Sequence, residues 1–194
     1  RVNVKPVLAV TGSNGKSTVV AWLTDFLNRV GKKAVVCGNF GVPVLDVIDQ
    51  AVDVFVIELS SFQLDTTESL KCEAATVLNV SPDHLDRYES FEDYAASKRK
   101  IYKLAKLEIY NANDELTWNQ SEHAQSFGLE KGDWQYVPDT QTLCQNEQVI
   151  ADFSTFALAG HHNGLNAVSV LALASALGID AKSNIDSLSV FSGL

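Results

Sequence analysis

The sequence predicts an α/β fold: a mainly parallel sheet flanked by helices, with a small antiparallel β insert late in the chain. Two observations carry this. Short, almost wholly apolar runs of strand length recur along the chain, as strands buried on both faces of a sheet do. Between them lie segments whose apolar residues repeat at three and four, the spacing of a helix with one buried face. A length of 194 residues suits one domain, and 46% hydrophobic with 20% charged residues is the balance of a chain with a real core.

The first strand is read over 4–10, ending at Thr11-Gly12. A helix follows over 16–30, where Val19, Val20, Leu23, Phe26, Leu27 and Val30 share a face and Gly31 supplies a residue free to take positive φ at the end. Strand 33–37, a Gly38-Asn39-Phe40-Gly41 loop, a short helix over 44–50 and a buried strand over 53–58 ending on Glu58 come next. Further strands are read over 75–79 and 107–111, separated by a helix that Ser90 caps and that runs to about Leu104. Repeated β-α-β units imply a parallel sheet. From about 125 to 158 short pieces (134–137, 142–144, 149–156) alternate with Gly, Pro and Asn turns, which predicts the antiparallel insert. An Ala- and Leu-rich helix over 163–177, closed by Gly178, and a weaker one over 183–190 complete the chain.

A formal net charge of −9 disfavours a chain whose task is to neutralise a nucleic-acid backbone, although a local anion pocket is compatible with it. No apolar run has the length of a membrane span and no export signal is read, so a cytoplasmic location is expected. Cys37, Cys72 and Cys144 are too far apart for a zinc site and odd in number, and are read as buried thiols. The chain has no Met and starts almost in a core strand, as an excised piece would.

Gly12-Ser13-Asn14-Gly15-Lys16-Ser17-Thr18 lies between a buried strand and an amphipathic helix, the context of a phosphate-binding loop. Loop N–H groups, the helix N-terminus and the Lys16 ammonium would hold a polyphosphate, with the Ser17 hydroxyl placed to ligate Mg²⁺. The full pattern requires glycine at position 10, where Val10 stands, so only its second half is present. Glu58, at the carboxyl end of an apolar strand, either reaches the same cation or is an exposed strand-end acid. Asp83, His84 and Asp86 suit a second cation site, although on spacing alone a helix-capping Asp beside a partly exposed His is the reading to prefer. Lys98, Arg99, Lys100 and Lys103 make a basic helix face from which spacing alone does not single out Lys98. Asn163 and Asn166, three apart, offer amides to an adenine edge, with plain N-capping by Asn163 as the alternative. His161-His162 lacks the spacing of a helical zinc pair.

Taken in order, Thr11-Gly-Ser-Asn-Gly-Lys-Ser-Thr18, Glu58-Leu-Ser-Ser-Phe-Gln-Leu64, Asn79-Val-Ser-Pro-Asp-His-Leu-Asp-Arg-Tyr88 and Gly160-His-His-Asn-Gly-Leu-Asn166 resemble the Mur ligase family, in the form of its D-glutamate-adding branch. The resemblance covers essentially the whole chain and implies a P-loop, Rossmann-like central ATP-binding domain over 1–194, flanked elsewhere by an N-terminal UDP-binding domain and a C-terminal domain. It implies ATP and two Mg²⁺ ions as cofactors, and UDP-N-acetylmuramoyl-L-alanine and D-glutamate as substrates. By motif position, Lys16 and the loop amides correspond to the polyphosphate grip, Ser17 and Glu58 to ligands of the first Mg²⁺, and His84 to a ligand of the second. Lys98 matches a lysine that is carbamylated, Asn39 a residue near the γ-phosphate and acceptor, Ser60 a muramoyl contact, and Asn163 and Asn166 adenine contacts. A folylpolyglutamate synthase shares the loop but not the Ser-Ser-Phe-Gln-Leu form. A GTPase-like switch predicts an Asn-Lys-x-Asp motif, which does not occur. A purely structural module leaves the four ordered motifs unexplained.

Overall fold

A computed structural model describes residues 5–83, 87–119 and 121–194. Among the described residues nine strands form one sheet, in the order β2-β3-β1-β4-β5-β6-β7-β8-β9. They are β1 (Val7–Thr11), β2 (Ala34–Gly38), β3 (Val54–Glu58), β4 (Cys72–Val77), β5 (Ala105–Asn111), β6 (Ala124–Leu129), β7 (Trp134–Val137), β8 (Thr142–Gln145) and β9 (Gln148–Asp152). The helices are α1 (Lys16–Arg29), α2 (Val44–Val47), α3 (Ser61–Thr66), α4 (Phe91–Arg99), α5 (His161–Ser175) and α6 (Ile185–Ser189). A 3₁₀ segment, Lys100–Leu104, continues α4, so the helix predicted to run to Leu104 changes its pitch at Lys100.

The period of two along the strands divides the core. Leu8 and Val10 of β1, Val54 and Val56 of β3, and Ala74 of β4 face a cluster with Val19, Leu23 and Phe26 of α1 and Val168 and Leu171 of α5. Val7 and Ala9, Phe55 and Ile57, and Ala75 and Val77 face the other side, where Leu64 of α3 and Tyr94 and Ala95 of α4 close over them. This is why these strands read as continuous apolar runs. The chain end is tied to α1: Trp22 Nε1 donates to Leu188 O at 2.9 Å, and its ring stacks on Phe191 with centroids 5.3 Å apart.

Strands β2 to β7 and β1 pair in parallel, and β7-β8 and β8-β9 in antiparallel fashion. The predicted antiparallel group is therefore present, as an extension of the main sheet. Strand β6, within the predicted stretch, is instead a parallel member. It joins β7, also parallel, through only residues 130–133, because Asp133 folds back on β6: its Oδ2 accepts from Ser126 N–H at 2.7 Å and from Ser126 Oγ at 2.9 Å. Helix α3 has no counterpart among the predicted elements.

The chain leaves β1 for β2 and β3 on one side, then crosses to β4 on the other. Such a reversal opens a crevice beyond the carboxyl ends of the strands, here between β1, β3 and β4.

Candidate functional site

The loop of residues 12–15 fills that crevice. Gly15 caps α1 at φ +81° with no side chain to offer, so the N–H groups of Lys16, Ser17 and Thr18 open outward at the positive end of a helix of 14 residues. Farther back, Ser13 N–H donates to Asn79 O at 2.9 Å and Asn14 N–H to Asn79 Oδ1 at 2.8 Å. Of the loop amides, those of Ser13 and Asn14 are thus paired with the neighbouring turn, and the first turn of α1 carries outward donors. Lys16 Nζ donates to Ser13 O at 3.0 Å, folded over its own loop.

Glu58, only 1% exposed, stands where β3 ends beside β1. Its Oε2 accepts from Ser17 Oγ at 2.9 Å and its Oε1 from Asn39 Nδ2 at 2.7 Å, and Asn39 N–H donates to Glu58 O at 2.9 Å. The exposed-acid alternative is thereby removed. Gly38 permits this approach, because at φ +105° any Cβ would run into Glu58 O. Both partners of the carboxylate are neutral, and among the described residues no cationic side chain lies in ion-pair range of it. A buried carboxylate touching a hydroxyl is the hard-oxygen set that suits Mg²⁺, which takes one or two protein oxygens and completes its shell with phosphate and water. No group of three His, Cys, Asp or Glu able to hold a metal occurs among the described residues. His84 lies outside the described residues.

Lys98 departs from its basic face. Lys100 and Lys103 are exposed, whereas Lys98 is 2% exposed; its Nζ donates to Gly12 O at 2.9 Å and lies 4.6 Å from the Tyr94 ring centroid. Burial, reinforced by the like charge of Lys16 and opposed by Asp83, pulls its pKa down to about 8. Ser97 beside it fixes α4 to α3, its single hydroxyl proton shared between Ser61 O at 3.1 Å and Asp65 Oδ1 at 2.8 Å.

The loop separates two clefts. One, of about 310 Å³, is bounded by Asn14 and Gly15, by Asn79, and by His162, Leu165 and Asn166 on α5. The other, of about 280 Å³, is bounded by Lys16, Asn39, Ser60, Asp83 and Lys98, with Phe62 at its wall. Asn166 comes close to the loop, its Oδ1 3.1 Å from where a Gly15 Cβ would sit. Asn163 does not open onto that cleft in the same way: it is buried, donates to Ala159 O at 2.7 Å and accepts from Asn166 Nδ2 at 3.2 Å, so it orients Asn166 and ties the turn before α5. Ser60 caps α3, accepting from Gln63 N–H at 3.2 Å while Gln63 Oε1 accepts from Ser60 N–H at 2.9 Å. The histidine pair divides: His161 Nδ1 lies 3.1 Å from Tyr136 Oη, and His162 lines the first cleft. Asn79 and Ser81 at this site belong to the motif over 79–88, which gives them no role of their own, and Tyr94 and Asn111 carry no local signal; the Ser-x-x-Gln spacing of Ser60 and Gln63 is a readable sign of α3.

The Mur ligase middle domain model matches residues 10–174. The UDP-N-acetylmuramoylalanine--D-glutamate ligase of Pseudoalteromonas translucida is 46% identical over 202 residues, covering 100% of this chain and 45% of that protein. Its namesake from Haemophilus ducreyi is 42% identical, covering 97% and 44%. The chain thus spans a little under half the length of these relatives. Among solved structures, a UDP-N-acetylmuramoyl-L-alanyl-D-glutamate--2,6-diaminopimelate ligase superposes with a TM-score of 0.81 at 20% identity, covering 98% of this chain and 47% of that one. MurC from Thermotoga maritima gives 0.74 at 24%, covering 98% and 46%. Four motifs that the fold gathers around one loop, and a family match that spans all four, agree: the chain belongs to the Mur ligase middle-domain family.

Proposed function

We propose that residues 1–194 are the central ATP-binding domain of a UDP-N-acetylmuramoyl-L-alanine:D-glutamate ligase, an enzyme of cytoplasmic peptidoglycan precursor synthesis, with UDP-binding and C-terminal domains completing the protein. The carrying observation is the loop between two clefts: an apolar, amide-bearing one on the α5 side and one with lysines and Asp83 on the α3-α4 side. A nucleotide lying in the first, phosphates over the N-terminus of α1, delivers its γ-phosphate into the second. Identity of 46% to a ligase of that name supports the choice of acceptor. Among the described residues no helix is long and apolar enough to cross a membrane.

On this reading the acceptor carboxylate oxygen attacks the γ-phosphorus and ADP departs, giving an acyl phosphate. The D-glutamate nitrogen then attacks the acyl carbon, phosphate leaves with the C–O bond electrons, and the nitrogen loses its proton as the amide forms. Lys16 and the first-turn N–H groups bind and orient the phosphates, and in-line transfer needs little beyond such positioning and charge neutralisation. Ser17 and Glu58 would hold Mg²⁺, which neutralises charge on the transferring phosphoryl group when bound. Asn39 holds the Glu58 carboxylate in place. His84 and a carbamate on Lys98 are the proposed ligands of a second ion, and the lowered pKa of Lys98 supports the reading by supplying free amine for CO₂. Ser60 is assigned to the muramoyl substrate, and Asn166, oriented by Asn163, to adenine.

Titrating the full-length protein with ATP and with GTP in the presence of Mg²⁺, followed by an assay for UDP-N-acetylmuramoyl-L-alanyl-D-glutamate, tests the proposal. Preference for ATP and formation of that product are expected; preference for GTP, or no product, would refute it.

A further inference from the structure

The phosphate loop lacks the first glycine of its pattern, and Val10 in that place is an ordinary buried strand residue. What shapes the loop lies across from it. Residues 78–81 run alongside as a rail: Leu78 N–H donates to Thr11 O at 2.9 Å and Ser13 N–H to Asn79 O at 2.9 Å. Ser81 N–H donates to Ser13 Oγ at 3.0 Å. The central rung is a side chain. Asn79 Oδ1 accepts from Asn14 N–H at 2.8 Å while Asn79 Nδ2 donates to Asn14 O at 3.0 Å, so one planar amide pairs with both polar groups of one residue's backbone, as a neighbouring strand does.

We propose that Asn79 is a positioning residue for nucleotide binding, an inference that rests on the ATP site proposed above. Its amide fixes the backbone of Asn14, and thereby the left-handed Gly15 that follows and aims the N–H groups of Lys16, Ser17 and Thr18. The role requires a donor and an acceptor in one plane. Asp offers no donor and Ala offers neither. It also explains why the amides of Ser13 and Asn14 are withdrawn from phosphate: residues 12–14 are the templated spacer, and the start of α1 is the grip.

The test uses Asn79→Ala and Asn79→Asp in the full-length protein, with two readouts. In steady-state kinetics the KM for ATP should rise about 10- to 30-fold, the loss expected for two hydrogen bonds, while the KM values of the two other substrates stay within about twofold. In amide hydrogen exchange the Asn14 N–H should lose protection in Asn79→Ala and keep it in Asn79→Asp, whose carboxylate still accepts from it but cannot donate to Asn14 O, while the Ser13 N–H, bonded to the Asn79 backbone, keeps its protection in both. An unchanged KM for ATP, or a parallel rise of all three KM values, would overturn the positioning role, and unchanged Asn14 protection in Asn79→Ala would overturn the templating itself. If wild type shows no dependence on ATP, the ligase reading fails while exchange still judges the template. Should Asn79→Ala not fold, the isosteric Asn79→Asp, which loses the donor to Asn14 O, carries the kinetic measurement, and an unchanged KM for ATP there overturns the role.

Discussion

Gly164 sits in the first turn of α5, between the two asparagines of the proposed nucleotide side, and its replacement by Ala sets two known effects against each other. Ala favours a helix over Gly by about 1 kcal/mol. A Cβ at this position, however, would lie 2.5 Å from Tyr136 Cδ1 and Cγ and 2.7 Å from Cδ2. The ring is 1% exposed, meets Phe153 edge-on at 5.2 Å between centroids, and is tethered through its hydroxyl to His161, so it has no free space to yield into. Overpacking of this kind costs about 1–3 kcal/mol, and the clash is more than an ångström inside contact distance, which places it toward the upper end. The net expectation is a loss of about 1–2 kcal/mol, or a thermal midpoint lower by about 2–8 °C for a chain of this size. Differential scanning calorimetry reads the midpoint directly. Because α5 must shift to relieve the clash, ATP affinity should fall in the same variant. A midpoint equal to or above that of wild type would show that helix propensity outweighs packing here and would refute the reasoning.

Three further outcomes are expected. Desolvation pushes the Asp65 carboxyl up, but donation from Lys100, Ser97 and Tyr88 outweighs it and holds the pKa below the usual value, so its contribution to stability is present above about pH 4 and is lost as pH falls through the folded pKa. The midpoint difference between wild type and Asp65→Asn should therefore shrink on acidification, and a difference independent of pH would count against it. Trp22→Phe removes the bond to Leu188 O and strands a buried carbonyl, at a cost of about 1–3 kcal/mol by chemical denaturation; a change below about 0.5 kcal/mol would contradict it. Lys98→Ala should abolish ligation in the full-length protein and recover in part with a short carboxylic acid. Rescue by a small amine instead, with no carbamate signal after incubation with ¹³C-labelled CO₂, would assign Lys98 a cationic role.

What the sequence made legible was whatever local pattern governs. The apolar runs of β1 and β3 and the three-and-four spacing of α1 announce themselves because a strand buried on both faces and a helix buried on one must carry apolar residues at those positions whatever covers them. Strand β6 and its parallel step to β7 did not, since that step depends on Asp133 folding back on Ser126, a contact no periodicity encodes. The same division runs through the site. Lys16, Ser17 and Glu58 could be named from motif and strand end. Lys98 could not be separated from Lys100 by spacing, because only packing of α4 against the loop puts one under cover and leaves the other in water. Asn163 carried both readings until its donor was seen to turn back to Ala159. Asn79 opens one of the four motifs, but no role for it could be read there, as its partner Asn14 is 65 residues away in sequence.

The sheet sorts the two clefts onto opposite sides, with α5 beside the first and α3 and α4 beside the second. Adjacent residues of a single strand therefore belong to different halves of the core: Val10 packs with α1 and α5, Ala9 with α3 and α4. On the proposed reading a descendant of this domain can take up a new acceptor by rewriting α3 and the residues of α4 other than Lys98, leaving the machinery for ATP as it was inherited. The reverse also holds. A compound lodged in the α5 cleft would be indifferent to acceptor identity and would strike such descendants alike, whereas one built for the α3-α4 cleft would tell them apart.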